Sequence, residues 1–105
     1  MAQYRITQTT DIFAYEEITV STTALSLTAA TYKPSGHTRA GYALITCENA
    51  AIRFTMDGVT TPTSSVGHLL AAGSSVELES PNTISRFQAI RDGGSDALIQ
   101  VSYGR

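Results

Sequence analysis

The chain has no tryptophan, a single cysteine and a single lysine, and no long apolar stretch anywhere in its 105 residues. Each shortage removes a class of protein. A membrane-spanning helix needs about 20 consecutive apolar residues, and no window of this sequence approaches that. The opening MAQYRITQTT lacks a charged-then-apolar layout, so export by a cleaved signal is not expected. The lone Cys47 cannot form an internal disulfide, which suits production in a reducing cytosol. Basic residues number seven against nine acidic ones; apart from Lys33 they are arginines, scattered at 5, 39, 53, 86, 91 and 105. With no basic run and a net charge of -2, the chain lacks the electrostatic footprint of a nucleic-acid binder.

What is present is hydroxyl: 15 Thr and 11 Ser. Threonine, with valine, isoleucine, tyrosine and phenylalanine, fits a pleated surface better than a helix. Disorder is excluded by composition, since 42% of the residues are apolar and only 15% charged. The length fits one domain with one modest core, residues 1–105, with 1–10 read as an N-terminal arm.

Short alternating runs separated by turn signals predict the strands. They fall at Tyr4–Gln8, Ile12–Val20, Ala24–Ala30, Tyr42–Glu48, Ala51–Met56, Val66–Leu70, Val76–Glu79, Ile84–Arg91 and Ala97–Tyr103. Glu16-Glu17 interrupts the second run and suggests a bulge. Tyr42–Glu48 is almost continuously apolar, as a central strand covered on both faces would be. The Asp92-Gly93-Gly94-Ser95 linker reads as a hairpin turn. Leu69–Ala72 is the one place left for a helical turn. The fold class expected is therefore all-β: an antiparallel β-sandwich of about eight strands, jelly-roll or Greek-key connected.

Chemistry-bearing residues are few and dispersed. Cys47 with His37 or His68 would make a thiol and a base, but Cys47 lies in the most apolar run and packs there as a small hydrophobe. His68 lacks the accompanying ligands that a metal site or a small cupin-like enzyme needs. Glu77 and Glu79 share one face of a strand, which is where solvated charges belong and where an edge strand is guarded against aggregation. Asp57-Gly58 offers a single charged oxygen donor, too few for a calcium loop. No catalytic residue, cofactor or metal is assigned. The binding residues expected are those of the long polar loop Tyr32–Gly41, namely Tyr32, Lys33, His37 and Arg39, together with Tyr4 and Arg5 near the N-terminus, since loops carry function more often than cores do.

Two resemblances extend this reading. The string from Phe54 to Gly58 with Thr61-Pro62-Thr63 is similar to the hairpin of chitobiase-type, carbohydrate-associated sandwich domains, where Asp-Gly makes the turn and Thr-Pro stiffens the return. A longer series, with landmarks IRFTMDG, TPT, GHLLAAG, ELESP, FQAIR and VSY between Ala43 and Tyr103, resembles small virion proteins encoded in tailed-bacteriophage structural gene clusters. That second resemblance implies a non-enzymatic capsid decoration (cement) protein, made in the host cytoplasm and residing in the virion. Its implied partners are the major capsid protein and further copies of itself, a trimer being favoured. The alternative is a carbohydrate-binding or host-adhesion module of a tail or head fibre, although the chain has no Trp for an aromatic platform.

Overall fold

Period-two stretches become strands where one face can be buried, and here two sheets bury each other. The computed structural model describes residues 11–36 and 38–105. In chain order these form β1 (Ile12–Val20), β2 (Leu25–Ser26), α1 (Ala29–Tyr32), β3 (Tyr42–Cys47), β4 (Ile52–Thr55), β5 (His68–Leu70), β6 (Ser75–Leu78), α2 (Pro81–Arg86), β7 (Gln88–Arg91) and β8 (Ala97–Gly104). One sheet has the order β1-β8-β3-β6 and the other β2-β7-β4-β5, every described pairing being antiparallel. Among the described strands only β4 and β5 are paired neighbours in the chain; every other link between them crosses between sheets, which is jelly-roll connection. The all-β sandwich of eight strands is thus the one expected.

The core is the inward half of each alternation. In β8, Ala97, Ile99, Val101 and Tyr103 are buried, and they oppose Ala43, Ile45 and Cys47 of β3 across the ladder. From the second sheet, Ile52 and Phe54 of β4, Leu70 of β5 and Ala89 of β7 close the space. Tyr42–Cys47 does occupy a central position, between β8 and β6. Cys47 is buried within the core, and burial raises its thiol pKa; its Sγ donates to the Ala50 carbonyl at 2.8 Å.

Five local expectations are corrected. Of Ala24–Ala30, only Leu25–Ser26 is strand; the chain then turns helical over Ala29–Tyr32, with Lys33 N–H on the Ala29 carbonyl at 2.8 Å. Ile84–Arg91 is split: Pro81 opens α2 at a position where its missing N–H costs nothing, and β7 begins only at Gln88. Ile84 and Phe87 are both buried from one helical side, a three-residue spacing that alternation obscures. Leu69–Ala72 holds the end of a strand, not a helical turn. The Asp92–Ser95 linker joins strands of different sheets, so it is a crossover and not a hairpin. The bulge lies between Ile12 and Ala14; through Glu16 and Glu17 the register to β8 is continuous. The run Tyr4–Gln8 and the N-terminal arm lie outside the described residues.

Candidate functional site

Three connections meet at one end of the sandwich: β2–β3, β4–β5 and β6–β7. The start of β1 and the close of β8 join them there, since Asp11 and Arg105 exchange backbone hydrogen bonds at 2.9 and 3.1 Å and Gly41 N–H reaches the Gly104 carbonyl at 2.9 Å. Helix α2 stands between the other two connections. Asn82 accepts from Arg39 Nη2 at 3.4 Å, and the Arg86 stem lies so close to Gly58 that a Cβ added there would sit 2.9 Å from its Cγ.

The predicted binding residues Tyr32, Lys33 and Arg39 are brought to this end, on the β2–β3 connection. Tyr4, Arg5 and His37 lie outside the described residues. Lys33 and Arg39 are exposed, but Tyr32 is half-buried, its ring 5.9 Å from that of Tyr103. The loop is less free than its polar composition suggested: Ala40 is buried and its N–H binds the Tyr32 carbonyl at 2.7 Å. A carboxylate of β1 that the sequence reading did not count among the binding residues, Glu16, holds it in place. Glu16 points inward, accepts from the Tyr103 hydroxyl, and takes Thr28 N–H at 3.3 Å where α1 begins. Burial, and then the Glu16 carboxylate, push the Tyr103 phenol far above its ordinary range, so it remains a neutral donor.

The β4–β5 connection is built on Asp57. Its carboxylate accepts the Thr60 hydroxyl at 2.7 Å and the N–H groups of Thr60 and Val59 at 2.9 and 3.0 Å, and Gly58 supplies the positive φ of +76°. Those three donors, the Thr60 hydroxyl foremost, hold the Asp57 carboxyl down at about 2. The turn interaction is therefore at full strength above the ordinary carboxylate value of 3.8 and is lost as pH falls towards the folded-state value. Asp57→Ala is expected to lower Tm at neutral pH, with the gap to wild type closing between about pH 4 and pH 2. A gap that stays constant down to acid would show that the charge has no part in the turn.

Beyond the turn the chain folds over the outer face of the second sheet. Thr55 Oγ1 donates to the Thr60 carbonyl at 2.6 Å, Arg53 Nη1 reaches the Gly67 carbonyl at 3.2 Å, and Pro62 is fully buried. The Thr-Pro-Thr segment is thus packed, not merely stiff. Beside it an open cleft of about 570 Å³ is lined by Thr55, Met56, Asp57, Thr60, Val66, Gly67 and His68. Its polar groups are mostly engaged: both Asp57 oxygens serve the turn and the Thr55 hydroxyl is spent on the backbone. His68 lies against the Phe54 ring at 5.4 Å. Among the described residues no group of three or more His, Cys, Asp or Glu is placed to hold a metal ion, and no helix is long and apolar enough to cross a membrane.

The feature that sequence reasoning missed is apolar exposure on this hairpin. Val59 is 87% exposed at the turn, Leu69 53% and Val66 43%. The available signal was a lone valine following Asp-Gly, in a turn otherwise made of polar residues. Glu77 and Glu79 stand as expected at an edge, on and just after β6, with Glu77 accepting the Tyr42 hydroxyl at 2.7 Å. At the opposite end of the sandwich, Asp96 accepts from Ser21 Oγ at 2.8 Å and Arg91 Nη1 at 2.7 Å, which lower its pKa, and the Asn49 amide bridges Asp96 and Leu98. No protein family matches this chain, and no similar curated protein or solved structure was found.

Proposed function

We propose that the protein is a non-enzymatic structural protein of a tailed-bacteriophage virion, an oligomeric decoration protein that docks on the capsid through its β4–β5 hairpin. The observation that carries this reading is the exposure of Val59 and Val66 on the connection and of Leu69 on β5, all within one hairpin whose backbone is tied down at Asp57, Thr60 and Gly67. Three exposed apolar side chains within one hairpin give a partner apolar surface to bury, and a preformed turn loses little entropy when it binds. The landmarks resembling phage virion proteins include this same hairpin. Burying such a surface across subunit junctions of the major capsid protein would oppose capsid rupture, because those contacts must break first.

The test is co-sedimentation with empty phage heads that lack the protein. Wild type is expected to pellet with heads, and Val59→Asp combined with Leu69→Lys to weaken binding by tenfold or more, roughly 1.4 kcal/mol or above. Both positions are exposed, so Tm should hardly change. Heads that ignore the wild-type protein would sink the proposal, as would a double variant that binds normally. The carbohydrate-binding alternative is served less well by the geometry, because three hydrogen bonds within the turn already occupy most of the acceptor capacity of the Asp57 carboxylate.

A further inference from the structure

Three connections converge over the outer face of β7. The β1–β2 connection brings Thr22, the β4–β5 connection brings Thr63 and Ser64, and the β7–β8 connection brings Gly93. With Ile90 and Arg91 of β7 they line a second open cleft of about 360 Å³, distinct from the one beside Asp57. Ile90 stands opposite Arg53 in the ladder, whose neighbours Ile52 and Phe54 are buried in the core. Its side chain is therefore on the outer face, where it forms an apolar floor.

The walls are fixed by backbone hydrogen bonds. Arg91 N–H reaches the Ser21 carbonyl at 3.1 Å and holds the β1–β2 connection against β7 next to Thr22. Thr63 N–H binds the Val66 carbonyl at 2.9 Å and Val66 N–H the Thr63 carbonyl at 3.2 Å, while buried Pro62 anchors the turn that presents Ser64. Asp92 N–H binds the Ala51 carbonyl at 3.0 Å just before Gly93, where an added Cβ would meet nothing within 4 Å. A cleft formed in advance loses little entropy when it is filled.

The chemistry of the lining selects the occupant. The charged side chains at Arg91 and Asp92 are already paired, Arg91 Nη1 with Asp96 at 2.7 Å and Asp92 with Arg53 Nε at 2.9 Å. An anion would compete with Asp96 for Arg91, and a cation would have to draw Asp92 or Asp96 from its arginine. An apolar ligand would find one apolar side chain, Ile90, and would cover hydroxyls without pairing them. Hydroxyl groups are what this cleft has to spare, in contrast to the cleft at Asp57. Among the described residues, neither Thr22 nor Ser64 spends its hydroxyl on another protein group, and both are exposed. Thr63 Oγ1 accepts Ser65 N–H at 3.2 Å and keeps its proton to donate. Each such hydroxyl can both donate and accept. So can each hydroxyl of a sugar, whose ring also carries an apolar C–H face. We propose that this cleft binds a neutral saccharide, with one sugar ring resting on Ile90 and its hydroxyls exchanging hydrogen bonds with Thr22, Thr63 and Ser64. The volume lies at the small end of the range for ligand sites, so about one sugar residue is held and the rest of a glycan extends into solvent. The inference does not rest on capsid docking and uses no group of the Asp57 turn.

Backbone amide NMR tests it, during titration of the full chain with the methyl glycosides of glucose, galactose, mannose and N-acetylglucosamine. At least one of these is expected to move the amides of Thr22, Thr63, Ser64 and Gly93 in a saturable way, with a Kd of about 1 mM, as suits an open site holding one sugar residue. Thr22→Ala with Ser64→Ala removes two hydroxyls and should weaken that binding about tenfold. Both positions are exposed, so Tm should hardly change, and the amide spectrum itself reports that the variant is folded. Glycerol serves as the control for a polyol without a ring, and sulfate as the control for an anion. The inference is overturned if none of the four glycosides gives a saturable shift at the cleft, or if the shifts gather at Asp57, Thr60 and His68 instead. It is equally overturned if glycerol binds as well as the best glycoside, if sulfate binds there more tightly than any sugar, or if the double variant binds as wild type does.

Discussion

Phe87→Ala is expected to lower the unfolding free energy by about 3–5 kcal/mol, a large share of the roughly 5–15 kcal/mol that holds a domain of this size together. Phe87 is the residue at which α2 gives way to β7; it is fully buried, and its ring stacks on Phe54 with centroids 5.4 Å apart and planes 25° from parallel. Truncation removes the transfer energy of the ring and leaves a cavity between the sheets at the loop end. The backbone cannot collapse into it, because Ala89 and Phe54 are fixed in register two residues along the ladder. Phe87→Leu retains much of the volume and should cost less than half as much. Urea denaturation of both variants measures the difference. A cost below about 1 kcal/mol for Phe87→Ala would mean that α2 is not anchored through this ring. The functional consequence follows from position: α2 touches Arg39 on one side and Gly58 on the other, so loosening it disturbs both neighbouring connections, the proposed docking hairpin among them.

The strands were legible because alternation records burial directly. Ile12–Val20 was read to its last residue, and the apolar run of β3 does mark a central strand, although the second sheet covers only the face of Ala43, Ile45 and Cys47 and leaves Leu44 and Thr46 half-buried on the other. The helices were not legible. Four residues of α1 and six of α2 are too few to show a 3.6 period, and ISRFQAIR alternates well enough to pass for one strand. Sheet membership was hidden for a different reason. Turn chemistry at Asp92–Ser95 is local, whereas the decision to cross to the other sheet belongs to the packing of distant strands. Of the expected binding residues, Tyr32, Lys33 and Arg39 share the β2–β3 connection, a placement already implied by their closeness in the chain. Val59 was overlooked because a single valine in a polar turn carries no periodic signal.

Gly67→Ala is expected to destabilise the protein by an amount on the order of 3 kcal/mol, combining backbone strain with a steric displacement. Gly67 has φ +122°, a conformation that residues with a side chain rarely adopt. An added Cβ would meet backbone rather than a yielding side chain, 3.0 Å from the Phe54 carbonyl oxygen and 3.2 Å from its nitrogen. Phe54 is paired with His68, the first residue of β5, so the neighbour that must give way belongs to the only hairpin ladder in the described sandwich. Displacement there would also release the Gly67 carbonyl from Arg53, and with it one fastening of the chain that carries Val59 and Val66. Gly36→Ala is the control: φ is +80° but nothing lies within 4 Å of the added carbon, so only the conformational cost of about 1 kcal/mol remains. Equal losses in the two variants would show that the contact with Phe54 is unimportant. A larger loss for Gly67, accompanied by weakened head binding at temperatures where the variant is still folded, would show that the hairpin binds because its backbone is held against β4.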